Sequence, residues 1–371
     1  SRPGIHTMEY VQERVTTLHD FDGADPDAPT DRATVVVPMT EREHASLAAE
    51  RVFSTLETVS PGRVLVALRA DSDRVSEARE WLETFDLSLS ILWCDSPLLA
   101  EALASAGLDG RRGKGRDVWL ALGVAAMDSE FVVVHDADAK SYARTHVPRL
   151  LFPLGRGFAF SKGYYARVEN DRLYGRLNRL FYAPLIRALD ETHDAPILPY
   201  LDAFRYPLAG EFAMTADVAR RLRVPRTWGL EVGTLGGVFE HAGFEGTAQV
   251  DLGQHEHDHR SVGGPDGLGE MCQSVGRALW WVLDDAGVDL DFETLPDRYR
   301  EHAERLIEQY AADAAFNGLT YDRSDEREQV RTYAETIAPP DDDTRLPAWA
   351  DAPLSPETVR ERSREGLDAI E

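Results

Sequence analysis

Residues 131–140 read FVVVHDADAK, an apolar run that leads directly into two aspartates one residue apart. Four apolar, mostly β-branched residues without polar alternation are typical of a strand that is buried on both faces. We expect the strand to cover residues 130–138, so that Asp136 and Asp138 point to the same face. Packing alone rarely places paired carboxylates at the end of such a strand. The stretch therefore indicates a ligand site at the edge of a sheet.

Similar apolar runs alternate with helical patterns before this stretch. The sequence predicts strands at residues 33–39, 62–71 and 87–95. It predicts helices at residues 43–59, 72–85 and 114–127, with Ser72 as the N-cap of the second helix. Strands that alternate with helices predict an α/β fold, in which helices flank a mostly parallel, Rossmann-like sheet and ligands bind at the carboxyl ends of the strands.

The second half of the chain has a mixed pattern. A strand is predicted at 157–168, a helix at 175–191, and a strand that enters a polar loop at 247–259. From about residue 269 the chain becomes helical and strongly charged. Residues 339–356 have the composition of a linker, and the last residues are expected to form an acidic amphipathic helix or a tail.

The charge balance restricts the possible partners. The chain has 65 Asp and Glu against 40 Lys and Arg, a net charge of −25, and its lysines are Lys114, Lys140 and Lys162. Such a charge repels nucleic acids and anionic membranes, so we expect neither as a partner. An Asp-rich, Lys-poor surface also suits a protein that stays soluble in high salt, which suggests a halophilic source.

Cysteine usage and hydropathy favour a cytoplasmic protein. Cys94 and Cys272 lie far apart and lack metal-ligand spacing. A disulfide framework is therefore not expected, which favours a reducing compartment. No apolar run reaches the length of a membrane span, and no signal peptide is visible.

Asp136 and Asp138 are candidate metal ligands. Two carboxylates at the carboxyl edge of a sheet can hold Mg²⁺ or Mn²⁺, which prefer oxygen ligands and keep positions open for phosphate oxygens. In the alternative interpretation, one aspartate caps the next helix and the other is solvated. His135 is expected to point away from the pair and to pack or form hydrogen bonds.

The stretch DLGQHEHDHRS provides a second polar cluster, with His255, His257 and His259 at every second position. In an extended segment all three would share one face. They could form a zinc site, or one of them could complete the shell of a cation held by the two aspartates. A polar surface loop is the third interpretation.

Four stretches together resemble one enzyme family. They are VVVPMTERE (35–43), GRRGKGRDVWLAL (110–122), VVHDADAKSYARTHVPRLLFPL (133–154), and the block from YPLAGEFAM (206–214) through WGLEVGTLGGVFEHAGFEGTAQVDLGQHEHDHR (228–260). They resemble the retaining glucosyl-3-phosphoglycerate synthases, which are GT-A-fold glycosyltransferases related to the mannosyl-3-phosphoglycerate synthases. The resemblance covers about residues 32–262.

The sequence pattern and the resemblance together imply a division of the chain. Residues 1–31 would form an N-terminal helix and an acidic linker, and residues 32–262 a GT-A catalytic domain. Within that domain, residues 32–140 would bind the nucleotide sugar and residues 141–262 the acceptor. Residues 263–371 would form a helical C-terminal extension and tail.

The resemblance also implies the donor and metal residues. The nucleotide sugar would be bound by Pro38, Glu41, Asp71, Gly113, Lys114, Asp136, Trp228 and Glu231. The metal would be held by Asp136, Asp138 and His257, which makes zinc binding by the three histidines less favoured. Asp136, Asp138 and Glu231 would form the catalytic set, with Glu231 on the donor-sugar hydroxyls; as an alternative, Glu231 merely caps the helix that follows. Glu211 in PLAGE is a further carboxylate of this block.

The stretch YGRLNRL matches the acceptor loop of the family. Gly175 and Arg176 would then contact the phosphate of 3-phosphoglycerate, and Arg260 would face phosphate as well. Asn178 stands where the family usually has threonine, which leaves another acceptor open. For these arginines, and for Arg179 in particular, the alternative is a helix face that is salt-bridged to Asp and Glu.

The implied reaction is metal-dependent transfer of glucose, most simply from UDP-glucose, to 3-phosphoglycerate. In this family retention is attributed to same-face attack, and the product leads to a compatible solute. Alternatives within the class are mannosyl transfer from GDP-mannose and transfer to another acceptor. From other classes, a non-catalytic nucleotide-sugar-binding protein and a zinc hydrolase remain open. The family also implies a homodimer.

Overall fold

An eight-stranded, mostly parallel sheet organises the structure, which is a computed structural model that describes residues 12–20, 23, 25–254, 256 and 265–370. The strand order is β1-β10-β6-β9-β5-β2-β3-β4. The strands are β1 Thr16–Leu18, β2 Ala33–Thr40, β3 Arg63–Arg69, β4 Leu89–Trp93, β5 Phe131–Val134, β6 Phe160–Ala166, β9 Phe212–Thr215 and β10 Thr247–Gln254. A separate two-stranded ribbon consists of β7 Val168–Glu169 and β8 Arg172–Leu173.

Helices flank both faces of the sheet, as the α/β prediction requires. They are α1 Leu47–Val59, α2 Val75–Leu82, α3 Pro97–Ser105, α4 Lys114–Asp128, α5 His146–Leu151, α6 Ala183–Asp190, α7 Ile197–Leu201, α8 Ala216–Arg221, α9 Leu230–Ala242, α10 Pro265–Asp285, α11 Leu295–Phe316, α12 Arg323–Ala334 and α13 Pro356–Asp368. Short 3₁₀ turns occupy Thr30–Arg32 and Leu154–Arg156, and a π-helical turn at Leu177–Tyr182 precedes α6. Apolar clusters fill the space on each side of the sheet.

The apolar runs form the centre of the sheet. The side chains of β5 are buried throughout, and Val35 of β2 stands opposite Val133 of β5 in parallel register. The strand β9 runs antiparallel to both of its neighbours, β5 and β6. The antiparallel strand β9 thus lies between two parallel parts of the sheet. One part consists of β5, β2, β3 and β4, and the other of β6, β10 and β1.

Three element boundaries differ from the prediction. The strand predicted for 130–138 ends at Val134, so the two aspartates lie in the loop beyond it. The helix predicted from residue 43 begins at Leu47, because the Ser46 hydroxyl accepts the amide of Ala49 at 3.1 Å and caps it there. Ser72 does not cap α2.

The start of α2 is displaced because a turn precedes it. The amides of Arg74 and Val75 donate to the carbonyl oxygen of Asp71 at 2.9 and 3.1 Å. This turn uses residues 72–74, and α2 begins at Val75 without a side-chain cap. The helix α3 was not predicted.

The described part of the N-terminal segment contains a strand where we predicted a helix. Thr16–Leu18 pairs in parallel with Ala248–Val250 of β10 and forms the edge of the sheet. The β-branched pair Thr16-Thr17 suits this edge position, and pairing satisfies the backbone of β10. Residues 1–11 lie outside the described residues.

The stretch 339–356, which has linker-like composition, packs against the sheet domain. Leu346 exchanges backbone hydrogen bonds with Val224. Trp349 stacks on Trp119 of α4 with ring centroids 3.9 Å apart, and its indole N–H donates to the Trp119 carbonyl at 2.8 Å. The last helix, α13, then docks on α3 and β4, where the amide of Trp93 donates to the Ser363 hydroxyl at 2.7 Å.

Within the described residues, no helix combines the length and the apolar character that crossing a bilayer requires.

Candidate active site

The site lies where β2, β3 and β5 end, at the carboxyl edge of the parallel half of the sheet. The chain leaves β5 at Val134 and enters the loop that carries the paired aspartates. Asp136 and Asp138 are both half-buried there. The Asp136 carboxylate lies 2.5 Å from the ammonium group of Lys114, measured from Oδ1 to Nζ. The structure thus joins the predicted metal ligand to the predicted glycine-lysine loop.

His135 holds the backbone of this loop. It is 1% exposed, its Nδ1–H donates to the Asp136 carbonyl oxygen at 3.1 Å, and its Nε2 accepts the Tyr142 hydroxyl at 3.0 Å. Burial lowers the pKa of His135 to about 4, so the ring is neutral near pH 7. The expectation that His135 packs and forms hydrogen bonds is confirmed.

Lys114 is the first residue of α4 and is surrounded by carboxylates. Besides Asp136, its Nζ lies 3.4 Å from Oε1 of Glu231, the second residue of α9. Burial alone would lower the pKa of Lys114, but Asp136, Glu231 and Glu211 outweigh it and raise the pKa above its usual value. Lys114 therefore remains a positive charge within this cluster of carboxylates.

The glycines beside Lys114 are required by close packing against the segment 225–227. A Cβ atom on Gly115 would lie 1.8 Å from the Pro225 carbonyl oxygen, and one on Gly113 would lie 2.9 Å from Cγ2 of Thr227. The resemblance assigned Gly113 to the nucleotide-sugar site. The structure shows that Gly113 and Gly115 also bring α4 against the segment that leads to Trp228 and α9.

The turn PLAGE closes the other side of the cluster. A Cβ atom on Gly210 would lie 2.6 Å from Oδ2 of Asp136 and 3.1 Å from Nζ of Lys114. The next residue, Glu211, is 2% exposed and begins the approach to β9. Only a glycine fits at position 210 without moving the ion pair, which explains the residue type in this motif.

Lys162 is a buried cation that the sequence did not assign to the site. It lies in β6 opposite Phe212, is 1% exposed, and donates from Nζ to the Ala209 carbonyl oxygen at 2.5 Å. Burial lowers its pKa to about 8, while Glu231 and Glu211 oppose that shift. The only signal in the sequence was a charged residue inside the apolar strand pattern AFSKGYYA.

The structure also brings together two of the predicted nucleotide residues. The Glu41 carboxylate accepts the amide of Asp71 at 3.2 Å, which joins the ends of β2 and β3. Pro38 is half-buried in β2. Trp228 is 42% exposed and stands three residues before Glu231.

The predicted acceptor loop contacts the C-terminal helices. Arg176 forms ion pairs with Asp325 and Glu326 of α12. Arg179 is buried and makes a two-pronged contact with Glu326, at 2.8 and 3.1 Å. For Arg179, the structure therefore shows the alternative interpretation, in which the arginine is salt-bridged to a glutamate.

Gly175 and Asn178 complete the described part of the acceptor loop. Gly175 has φ +73°, and a Cβ atom there would lie 2.9 Å from the Tyr206 hydroxyl, so the position requires glycine on two grounds. The Asn178 Oδ1 atom is buried and accepts no hydrogen bond from the described residues.

His255, His257, His259 and Arg260 lie outside the described residues. Within the described ones, no group of three His, Cys, Asp or Glu side chains converges to hold a metal. Glu256, the residue before His257, is described and has two hydrogen bonds to the loop after Asp138. The Glu256 carbonyl accepts the amide of Lys140 at 2.8 Å, and the Glu256 amide donates to the Ser141 hydroxyl at 3.0 Å.

The mostly parallel sheet flanked by helices is the GT-A fold of glycosyltransferases. No protein-family model matches the sequence. The chain is 33% identical to the glucosyl-3-phosphoglycerate synthase of Methanococcoides burtonii, with 98% of both chains covered. It is 37% identical to that of Persephonella marina over 74% of this chain and 72% of the relative. The chain therefore belongs to the glucosyl-3-phosphoglycerate synthase family, which consists of glycosyltransferases.

A solved structure supports the fold assignment. The glucosyl-3-phosphoglycerate synthase from Mycobacterium tuberculosis, in complex with Mn²⁺, UDP-glucose and phosphoglyceric acid, matches with a TM-score of 0.56. The match covers 75% of this chain and 89% of that one at 24% identity. The predicted fold class is confirmed.

Proposed function

We propose that this enzyme transfers glucose from UDP-glucose to the hydroxyl of 3-phosphoglycerate, with retention at the anomeric carbon and with bound Mg²⁺ or Mn²⁺. The observation that carries this proposal is the convergence of Asp136, Lys114 and Glu231 from three distant segments at one sheet edge. Family membership supports the choice of donor and acceptor.

Asp136, Asp138 and His257 would hold the metal ion. The two carboxylates supply the oxygen ligands that Mg²⁺ and Mn²⁺ prefer, and an imidazole is compatible with Mn²⁺. Glu256, the chain neighbour of His257, is hydrogen-bonded to Lys140, which lies two residues beyond Asp138. When bound, the cation neutralises negative charge that develops on the departing diphosphate.

Lys114 would bind the diphosphate beside the metal. Its charge is fixed by Asp136 and Glu231, and its position is fixed by the tight packing of Gly113 and Gly115. A cation that is held in place before the reaction stabilises the leaving group without reorganisation. On the base side, Pro38, Glu41 and Asp71 would line the nucleotide pocket.

Glu231 would accept hydrogen bonds from the hydroxyls of the donor sugar, and Trp228 would form a wall of its pocket. Glycosyl transfer proceeds through an oxocarbenium-like transition state. In same-face attack a phosphate oxygen of the leaving group takes the proton of the acceptor hydroxyl, so the protein needs no nucleophile of its own. The side chains then act by positioning the two substrates and by electrostatics.

Gly175, Arg176, Asn178 and Arg260 would bind the acceptor. Arg176 is ion-paired to Asp325 in this structure, so binding of the acceptor phosphate would exchange one anionic partner for another. A guanidinium fork suits either partner.

An activity panel tests the proposal. UDP-glucose, ADP-glucose, GDP-glucose and GDP-mannose are each incubated with 3-phosphoglycerate or glycerate, with Mn²⁺ or Mg²⁺, in molar KCl. We expect the highest turnover with UDP-glucose and 3-phosphoglycerate, and none after chelation. A preference for GDP-mannose would show that GDP-mannose, and not UDP-glucose, is the donor. Nucleotide binding without turnover would indicate a binding protein, and zinc binding without nucleotide would indicate a hydrolase.

We also infer that the enzyme works in the cytoplasm as a homodimer, without nucleic-acid or membrane partners. The net charge of −25 argues against polyanionic partners, and both cysteines are free and buried. Light scattering during size-exclusion chromatography tests the dimer, for which we expect a mass near twice that of the chain.

A further inference from the structure

We propose that Arg167, which no prediction above assigned, binds an anionic group of the acceptor and determines acceptor specificity. The inference rests on the proposed function and deepens it. Arg167 follows directly on β6, whose last residue, Ala166, is paired with Gln254 at the end of β10. Both strands are parallel, so Arg167 stands at the carboxyl edge where β10 leaves the sheet towards residues 255–260.

The guanidinium of Arg167 has unused hydrogen-bonding capacity. It is half-buried, yet its Nε–H is buried without an acceptor among the described residues. Its Nη1 reaches the Tyr206 hydroxyl only at 3.5 Å. No described carboxylate lies within ion-pairing distance of Arg167. The charge of Glu169 acts on Arg167 without forming an ion pair. A guanidinium carries five N–H donors, so an oxyanion of a ligand would satisfy those that the described residues leave open.

The neighbouring arginines differ in this respect. Arg176 and Arg179 are both paired with carboxylates of α12, and Arg172 is exposed on β8. The contrast singles out Arg167 as the cation that remains available to a ligand.

The surroundings of Arg167 include the predicted acceptor loop. The Tyr206 hydroxyl that contacts Arg167 is also the group against which the Gly175 backbone packs. The ring of Tyr165 lies beside that of Tyr206, with centroids 5.0 Å apart. Arg167, Tyr206 and Gly175 therefore lie side by side and form one wall.

The same wall continues to the donor site. Tyr206 and Gly210 belong to one turn, which is closed by a hydrogen bond from the Ala209 amide to the Tyr206 carbonyl at 3.1 Å. Gly210 lies against Asp136 and Lys114. Four residues span at most about 14 Å, so Tyr206 lies within that distance of the residue that contacts the donor cluster.

The ligand chemistry is an oxyanion, either phosphate or carboxylate, since a guanidinium fork binds both. 3-Phosphoglycerate carries one of each. Glycerol 3-phosphate retains the phosphate alone, and glycerate retains the carboxylate alone. Kinetics with these two compounds therefore show which of the two groups Arg167 binds. The variant R167Q removes the charge and keeps hydrogen-bonding capacity, while R167K keeps the charge and loses the fork.

Steady-state kinetics of wild type, R167Q, R167K and the control R172Q test the inference. We expect R167Q to raise the KM for 3-phosphoglycerate about tenfold or more, with the KM for UDP-glucose unchanged, R167K to lie between, and R172Q to match wild type. If Arg167 binds phosphate, R167Q loses the preference for glycerol 3-phosphate over glycerol; if it binds carboxylate, R167Q loses the preference for glycerate over glycerol.

Two results would overturn the inference: a folded R167Q enzyme with a wild-type KM for 3-phosphoglycerate, or equal rises in the KM of donor and acceptor. If R167Q does not fold, R167K is measured instead. A wild-type KM of R167K for 3-phosphoglycerate, or equal rises in its KM for donor and acceptor, would then overturn the inference. Failure of the proposed function is distinguishable, because wild type itself would then not transfer glucose to 3-phosphoglycerate. In that case, calorimetric titration of 3-phosphoglycerate into UDP-loaded wild type and R167Q decides, and equal affinities refute the role of Arg167.

Discussion

Lys114 and Asp136 form an ion pair, with 2.5 Å between Nζ and Oδ1, that joins the first residue of α4 to the loop after β5. Oε1 of Glu231, in α9, lies 3.4 Å from the same ammonium nitrogen. One cation thus connects the glycine-lysine loop, the paired aspartates and the segment with Trp228. The proposed donor site is the space around this group.

Replacement of Lys114 by Met should reduce kcat/KM by about 100-fold or more, because a fixed positive charge beside the leaving diphosphate is lost. The fold should survive, since Lys114 lies at the beginning of α4. The exposed Arg305 of α11 provides the control, and Arg305→Met should retain activity. Initial rates with varied UDP-glucose measure the effect, and near-normal kinetics of Lys114→Met would refute the role of Lys114.

Replacement of Asp138 by Ala should abolish transfer while the protein stays folded. Without one of its carboxylate ligands the cation is held weakly, and the diphosphate loses its neutralising partner. Thermal unfolding with UDP and Mn²⁺ gives an independent readout. The increase in Tm seen for wild type should disappear in Asp138→Ala and persist in the exposed control Asp73→Asn. Full activity of Asp138→Ala would show that it is not a metal ligand.

Gly115→Ala should destabilise the protein by about 2 kcal/mol or more, because the new methyl group would lie 1.8 Å from the Pro225 carbonyl oxygen and backbone would have to move. The displacement should also raise the KM for UDP-glucose. Gly269→Ala, at a helical position where no atom of another described part of the chain lies within 4 Å of the added methyl group, is the matched control and should be neutral or slightly stabilising. Urea unfolding of both variants measures the difference; equal stabilities would contradict the packing interpretation.

Acid should destabilise the protein partly through His146. Burial, assisted by His135, lowers the pKa of His146 to about 4. Between pH 6.5 and 4 the unfolded chain binds a proton at this residue that the folded chain does not. The stabilisation is therefore complete above pH 6.5 and is lost as the pH falls through 4.

The variant His146→Asn isolates this contribution. The Asn oxygen can still accept the Ala143 amide, which donates to Nδ1 of His146 at 3.1 Å. Between pH 7 and pH 4.5 the free energy of unfolding should fall by about 2 kcal/mol less in the variant than in wild type. Parallel pH profiles from urea unfolding would exclude His146 as a source of acid sensitivity.

The parallel half of the fold was readable from the sequence because its signals are local. The buried runs of β2, β3 and β5 and the helix that begins at Lys114 all follow from periodicity within a few residues. Asp136 was identified by its position after an apolar run, and Lys114 by the stretch GRRGKGRDVWLAL, which resembles the family. Both lie in the cluster that the structure shows.

The remaining features depend on contacts between distant residues, which periodicity does not encode. Lys162 resembles an interruption of a strand until its burial near Glu211 and Glu231 is seen. The stacking of Trp349 on Trp119 joins residues 230 positions apart and turns a linker-like stretch into part of the core. The antiparallel strand β9 was missed for the same reason. A sequence of four residues does not indicate whether the strand runs parallel or antiparallel to its neighbours.

Diffraction at the manganese absorption edge, from a crystal grown with UDP and Mn²⁺, tests the donor site most directly. The account predicts one manganese peak that is coordinated by Asp136, Asp138, the imidazole of His257 and diphosphate oxygens. A peak bound to other residues, or bound UDP without manganese, would contradict it.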